Sequence, residues 1–293
     1  MSEIALREMQ QIEMELLLEL DRVCRENKLR FYLDGGTLLG AVCYDGFIPW
    51  DDDIDIKMPR PDYERLLTLQ QAFPAHILLD APRPGHCEYT FLKLVDNRTV
   101  LEEDTGIQKK VSGVYIDVLP MDGHPEDAET CRKHISAMNR YSNLFHESQT
   151  QFRQMKRSKN LITKAKGHLY GLIYTPWILS RKMTKLGKKY SYDSASRVGL
   201  LIDGDPARER FEKTWLEPPA IMEFEGHQFP APNAAEEHLS IFYRKPISRA
   251  LYYHNLPRIP STHKHRVYWK DQPACGDRPY NEANGAEHHD ERE

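Results

Sequence analysis

Trp50-Asp51-Asp52-Asp53-Ile54-Asp55-Ile56 puts four carboxylates into five consecutive positions and then alternates acid with isoleucine. Such charges repel one another, so ordering them is costly unless cations are present. The alternation has the period of a half-buried strand. It puts Asp53 and Asp55 on one face and turns Ile54 and Ile56 to the core. Two oxygen ligands on one rigid face suit Mg²⁺ or Mn²⁺, which prefer hard oxygen donors. By the same parity Asp51 shares the face of Asp53 and Asp52 points the other way. Both read as solvated loop residues or as support for the metal ligands.

Outward from this stretch, residues 29–33 read as a short strand that enters the tight turn Asp34-Gly35-Gly36, and 37–42 as the first turns of a helix. Glycines there let backbone N–H groups approach a phosphate, and a helix start favours an anion. Gly35, Gly36 and Thr37 are therefore candidate phosphate contacts. Asp117, between Ile116 and Val118, is the candidate third ligand from a neighbouring strand, and an alternative acceptor for the proton of an attacking hydroxyl. Taken alone, the acid–isoleucine alternation reads equally as an exposed acidic turn. The glycine pair upstream and the later acid make a phosphate-and-metal site the better reading.

Lys93 is a candidate partner for a donor phosphate, set against the plain reading of a solvated lysine. Trp50 reads as a partly buried structural residue sooner than a base-stacking one. Cys43 has no evident activating base and is not a nucleophile candidate. His254, His263 and His265 lack a zinc spacing and read as surface residues.

The remaining pattern predicts an α+β fold. Helices are expected over 4–28, 62–73 (opened by Pro61), 125–147 and 234–243. Strands are expected over 77–79, 91–95 and 114–119, with a hairpin around Glu225-Gly226. The chain divides into a catalytic core (1–147), a basic helical segment (148–192), a return to the catalytic domain (193–256) and an extended or flexible tail (257–293). With 40 Lys/Arg against 44 Asp/Glu, the net charge of −4 argues against a general nucleic-acid binder. The positive charge is localised: residues 148–192 hold eleven Lys/Arg and no acid, leaving the rest at 29 − 44 = −15.

Five scattered cysteines without a C-x-x-C pair fit a reducing cytosol. The N-terminus runs straight into a charged helical pattern, and no apolar run approaches the ~20 residues of a membrane span. A cytoplasmic location is expected, with peripheral contact at the inner membrane face through the basic segment 164–189. The plain reading of that segment, a solvated helix packed on the catalytic domain or an electropositive wall for the donor's phosphates, outweighs the membrane contact.

Residues 35–42 (Gly-Gly-Thr-Leu-Leu-Gly-Ala-Val) and 46–56 (Gly-Phe-Ile-Pro-Trp-Asp-Asp-Asp-Ile-Asp-Ile) closely resemble the LicD family, which has fukutin-related relatives. Lys93-Leu94-Val95-Asp96 with Thr99, residues 113–120, and Phe224-Glu225-Gly226 through Tyr243 extend the resemblance over about 10–250. Cys43 stands where the family commonly has a basic residue, and Tyr243-Arg244-Lys245 where it often reads Tyr-Gly-Asp.

The resemblance implies a nucleotidyltransferase-like mixed β-sheet flanked by helices, with an additional helical region. It also implies transfer of a phospho-alcohol, such as phosphocholine or ribitol phosphate, from a CDP-linked donor to a glycan or lipid-linked sugar. Two other classes stay open: a nucleotidyltransferase that attaches NMP from NTP to a hydroxyl, and a catalytically silent binding or assembly protein.

Overall fold

A computed structural model describes residues 3–104, 109–202, 210–249 and 265–270. The four-and-three spacing of Ile12, Leu16, Leu20 and Val23 produces helix α1 (Leu6–Asn27), with all four side chains buried. Strand β1 (Tyr32–Leu33) leads into helix α2 (Gly35–Tyr44), and a loop then reaches strand β2 (Asp55–Pro59). The strand expected from Asp53 thus begins two residues later, and Asp51–Asp53 belong to the loop.

Helix α3 (Arg60–Leu66), with proline in its first turn, is shorter than the expected 62–73. Beyond it, Gln70 sits in a short 3-10 turn facing the sheet. Its side chain donates to Ile77 O at 3.0 Å and accepts from Leu79 N at 2.8 Å, serving the edge of strand β3 (Ile77–Asp80).

Strands β4 (Leu92–Asp104) and β5 (Lys109–Gly123) run well past the expected segments. The polar stretch Asp96-Asn97-Arg98-Thr99 looks like a turn in sequence but forms a bulge inside β4. There Thr99 Oγ1 donates to Asp96 O at 2.9 Å and accepts from Val114 N at 2.8 Å, standing in for a ladder partner. A Cβ on Gly113 would meet Asp96 O at 2.0 Å, so only glycine permits this approach.

Helices α4 (Ala128–Gln149), α5 (Gln151–Lys156), α6 (Leu161–Ile173) and α7 (Pro176–Gly187) follow. Asp127, Asn160 and Thr175 cap α4, α6 and α7 through their side chains. Strands β6 (Arg197–Leu200) and β7 (Arg210–Glu212) return to the sheet. Strands β8 (Ala220–Phe224) and β9 (His227–Ala231) make the expected hairpin. Glu225 (φ 51°) and Gly226 (φ 76°) form its turn, which needs two left-handed residues. Helix α8 (Ala235–Tyr243) and strand β10 (His265–Trp269) complete the described chain.

Among the described residues, eight strands make one mixed sheet along the path β1–β2–β5–β4–β10, with β3, β6 and β7 attached. The β2–β5 pair is parallel and the other pairs are antiparallel. Helix α1 packs on β4 and β5, and the main core joins Leu16, Leu20, Leu33, Leu38, Ile54, Ile56, Leu94, Ile116 and Val118. Each such side chain contributes roughly 1.5–3 kcal/mol by leaving water. The architecture is therefore α+β, as expected: a mixed sheet with flanking helices. Within the expected tail, residues 265–269 form a strand on β4. The rest of 257–293 except Lys270, with His254 and His263, lies outside the described residues. Among the described residues no helix is long and apolar enough to cross a membrane.

Candidate functional site

The parallel pairing of β2 with β5 brings the acids of two distant segments side by side. Asp55 and Asp117 are direct register partners, and Asp117 N donates to Ile54 O at 2.8 Å. The antiparallel pairing of β4 with β5 sets Lys93 opposite Asp117, and Lys93 Nζ lies 2.6 Å from Asp117 Oδ1. Register partners share a sheet face. Asp55, Asp117 and Lys93 therefore form one row across three strands.

Lys93 is buried, not solvated. Its ammonium lies 3.3 Å from the Tyr115 ring centre and 4.0 Å from that of Tyr89, a cation–π setting that keeps it pointed at Asp117.

The glycine bend closes over this row. Asp34 N donates to Asp55 O at 3.1 Å, and Asp55 N donates to Thr37 Oγ1 at 2.9 Å, tying the start of α2 to the start of β2. Gly35 has φ +55°, and a Cβ there would sit 2.9 Å from Asp55 Oδ2. A Cβ on Gly36 would sit 2.6 Å from Asp51 Oδ2. The absence of side chains in the bend is what lets two carboxylates lean onto it. Thr37 itself is buried and holds the bend in place.

Asp51, Asp52 and Asp53 present carboxylate oxygens that all lie within 4.8 Å of one another. This corrects the strand-parity expectation that Asp52 points away. Because β2 starts only at Asp55, the loop curls after Asp51 N bonds Ile48 O at 2.9 Å, and side chains no longer alternate. Burial, then the charges of Asp53, Asp117 and Asp34, push the Asp55 carboxyl well above the usual range, against the opposing pull of Lys57. Burial and the charges of Asp34, Asp51, Asp55 and Asp53 likewise push up the Tyr243 phenol.

Several residues in this environment escaped the sequence reading. Glu13 on α1 is fully inaccessible, and neither of its carboxylate oxygens meets a hydrogen-bond partner among the described residues. Its pKa is driven well up by burial and then by Asp53, Asp52, Asp51 and Asp117, so it faces the acidic loop from the helix side. Gln10, one turn earlier, holds the loop through Asp51 O at 2.9 Å. A signal existed: Met9, Glu13, Leu16 and Leu20 share one helical stripe, and Glu13 is the acid among apolar residues.

Asp34 is held by Lys57 Nζ at 2.6 Å and by His238 Nε2 of α8 at 2.7 Å, with all three side chains buried. Burial alone raises the Asp34 pKa, but Lys57 and His238 outweigh it and bring it below the carboxylate range. Glu225 supports the loop from the hairpin, accepting from Phe47 N at 3.1 Å and from Arg7 at 2.6 Å. Trp50 is half-buried against the main core, the structural role expected of it. Cys43 is buried, and burial pushes its thiol up to about 11, which keeps it unreactive.

The residues present fit a divalent cation. Burial and the neighbouring carboxylates push up Asp55 and Glu13, and the Asp51–Asp53 oxygens cluster beside them, a donor set of the kind that hard cations fit.

Known proteins match this part of the chain. The LicD/FKTN/FKRP nucleotidyltransferase domain matches residues 28–159. The lipopolysaccharide cholinephosphotransferase LicD of Haemophilus influenzae is 27% identical over 253 residues, covering 83% of this chain and 91% of that protein. An uncharacterized protein of Rickettsia prowazekii is 29% identical over 112 residues, 38% of this chain and 40% of its own. Mannosyltransferase regulator 4 of Saccharomyces cerevisiae is 32% identical over 104 residues, 35% of this chain and 8% of its own. The matched span takes in the glycine bend, the acidic loop and the whole Asp55–Asp117–Lys93 row, and the similarity to a LicD protein continues along most of the chain, so this protein resembles the LicD family.

Proposed function

We propose that this protein moves a phospho-alcohol, of the phosphocholine or ribitol phosphate kind, from a CDP-linked donor to a sugar hydroxyl of a glycan or glycolipid. The observation that carries the reading is the register pairing of Asp55 with Asp117 beside the glycine bend, with Asp53 in the adjoining loop. The chain's similarity to a lipopolysaccharide cholinephosphotransferase over nearly that protein's full length supports phosphotransfer to a glycan. We read the mixed sheet as nucleotidyltransferase-like, with 1–147 and 193–256 forming the catalytic unit and 148–192 a helical insertion.

In this reading Asp53, Asp55 and Asp117 hold Mg²⁺ or Mn²⁺. Asp53 also belongs to the Asp51–Asp53 group that Glu13 faces, which gives room for a second ion. When bound, the cation neutralises charge on the phosphoryl oxygens and on the departing nucleotide. Backbone amides at Gly35 and Gly36 meet donor phosphate, and Thr37 holds that bend against β2. Lys93 acts through Asp117: the ion pair fixes the carboxylate's orientation. The sugar oxygen forms a bond to the phosphorus that carries the alcohol, the bridging P–O bond breaks, and CMP leaves with the bonding pair. The hydroxyl proton passes to Asp117.

The nucleotidyltransferase character of the matched domain keeps a second reading in play, in which NMP is transferred from NTP and pyrophosphate leaves. Product analysis separates the two. Incubation with CDP-choline or CDP-ribitol, a glycan acceptor and Mn²⁺ is expected to release CMP together with modified glycan. Pyrophosphate from an NTP would favour the second reading, and neither product would sink both.

A further inference from the structure

Helix α6 wears its apolar side outward. At ~100° per residue, Leu161, Ile162, Ala165, Leu169, Leu172 and Ile173 fall within an arc of about 120°. These side chains are open to water: Leu161 is 80% exposed, Leu172 74%, Ile162 70%, Leu169 52% and Ile173 48%. Opposite the arc lies Gly167, the buried residue of this helix, where a Cβ would meet Met155 of α5 at 2.7 Å. The helix thus packs on the protein through a glycine and shows its apolar stripe to the outside, the reverse of an ordinary surface helix.

Its charges complete the pattern. Lys164 and Lys166 border the stripe on its two sides, and the whole of 148–192 carries eleven Lys/Arg without one acid. Where α6 ends at Ile173, the next residue, Tyr174, lines a cavity of about 660 Å³ together with Arg132, Lys133, Arg140, Tyr141 and Lys182. An apolar stripe beside a basic groove matches the two layers of one kind of surface: acyl chains beneath anionic headgroups. A second copy docked face to face through the same stripe would set these cations against their own kind.

We propose that α6, with the adjoining groove of α4 and α7, docks on an anionic phospholipid bilayer. The stripe enters the boundary between headgroups and acyl chains, and the groove cations meet the lipid phosphates. This surface is made of residues outside the acidic site, so it stands whether or not the catalytic reading does.

Flotation of the full chain with phosphatidylglycerol-containing vesicles tests it, with pure phosphatidylcholine vesicles as the control. Binding is expected to the anionic vesicles at low salt and to weaken as salt rises. Lys164→Ala and Lys166→Ala are each expected to weaken it about fivefold. The double variant Leu169→Glu/Leu172→Glu is expected to abolish it at an unchanged melting temperature, because both side chains are exposed. No recruitment to anionic vesicles at low salt would overturn the proposal, as would undiminished binding by the double variant. A solution dimer that the double variant dissolves would overturn it too, by assigning the stripe to a second copy.

Discussion

Glu13 and Leu172 lie opposite to where folding in water would put them. The first is a carboxylate with no exposure inside the protein, and the second is a leucine left 74% exposed on its surface. Around Glu13, Asp51–Asp53 and Asp55, acids crowd together, and the buried lysines Lys57 and Lys93 pair with Asp34 and Asp117 at the margin of the group. Around Leu172, cations line the outside of a helix whose inner face is a glycine. Each arrangement costs stability in the isolated chain. In the readings proposed above, what separates them is the kind of neighbour that would remove the cost: hard cations for the acids, an amphipathic surface for the stripe. Local rules broken in this way mark places where something other than the chain completes the structure.

The largest expected effect breaks the acidic region. Asp53→Asn and Asp55→Asn should each lower turnover on the order of 10³-fold, the scale for losing a preorganised charge-stabilising group, while the far-UV spectrum and melting curve stay native. Next comes the support of the bend. Asp34→Asn takes the carboxylate away from the buried Lys57 and His238 and should cost about 3–5 kcal/mol in urea unfolding. The pH dependence has a definite sign. The folded-state pKa of Asp34 is depressed, so its contribution is fully present above the ordinary carboxylate pKa. It fades as pH falls below about 4, a loss the variant should not show.

Glu13→Gln sharpens the comparison from the other side. With chelator present, removal of a buried acid whose ionisation folding suppresses should raise the melting temperature, by roughly 2–4 °C per kcal/mol regained. In Mn²⁺ the same variant should gain less stabilisation than the wild type. The smallest effect belongs to the helical region. Leu172→Glu should change folding stability by no more than about 0.5 kcal/mol. Leu20→Ala in the core should cost about 2–5 kcal/mol, the same residue type in an ordinary place.

Much of this architecture was legible because it rests on local periodicity. The stripe of Ile12, Leu16 and Leu20 set out α1, Glu225-Gly226 marked the hairpin, and the acid–isoleucine alternation pointed to β2 and to Asp117 on its neighbour. What escaped depends on partners remote in the chain. Lys93 stood out as a candidate for a donor phosphate, but its ion pair with Asp117 emerges only when β4 pairs with β5 and sets the two side by side. Asp34 and His238 are 204 residues apart, and no spacing rule joins them. The bulge at Asp96–Thr99 mimics a turn, because the same polar residues that end a strand can also carry a ladder across an irregularity. The curl at Asp51–Asp53 escaped for a related reason: parity holds only inside a paired strand, and pairing begins at Asp55.

The central claim, that these acids seat a divalent cation beside the glycine bend, is tested most directly by locating the ion. Crystals soaked in manganese chloride should give an anomalous difference peak bounded by Asp53, Asp55 and Asp117, next to Gly35. A map with no peak there, or with manganese bound only at sites remote from these carboxylates, would contradict the account.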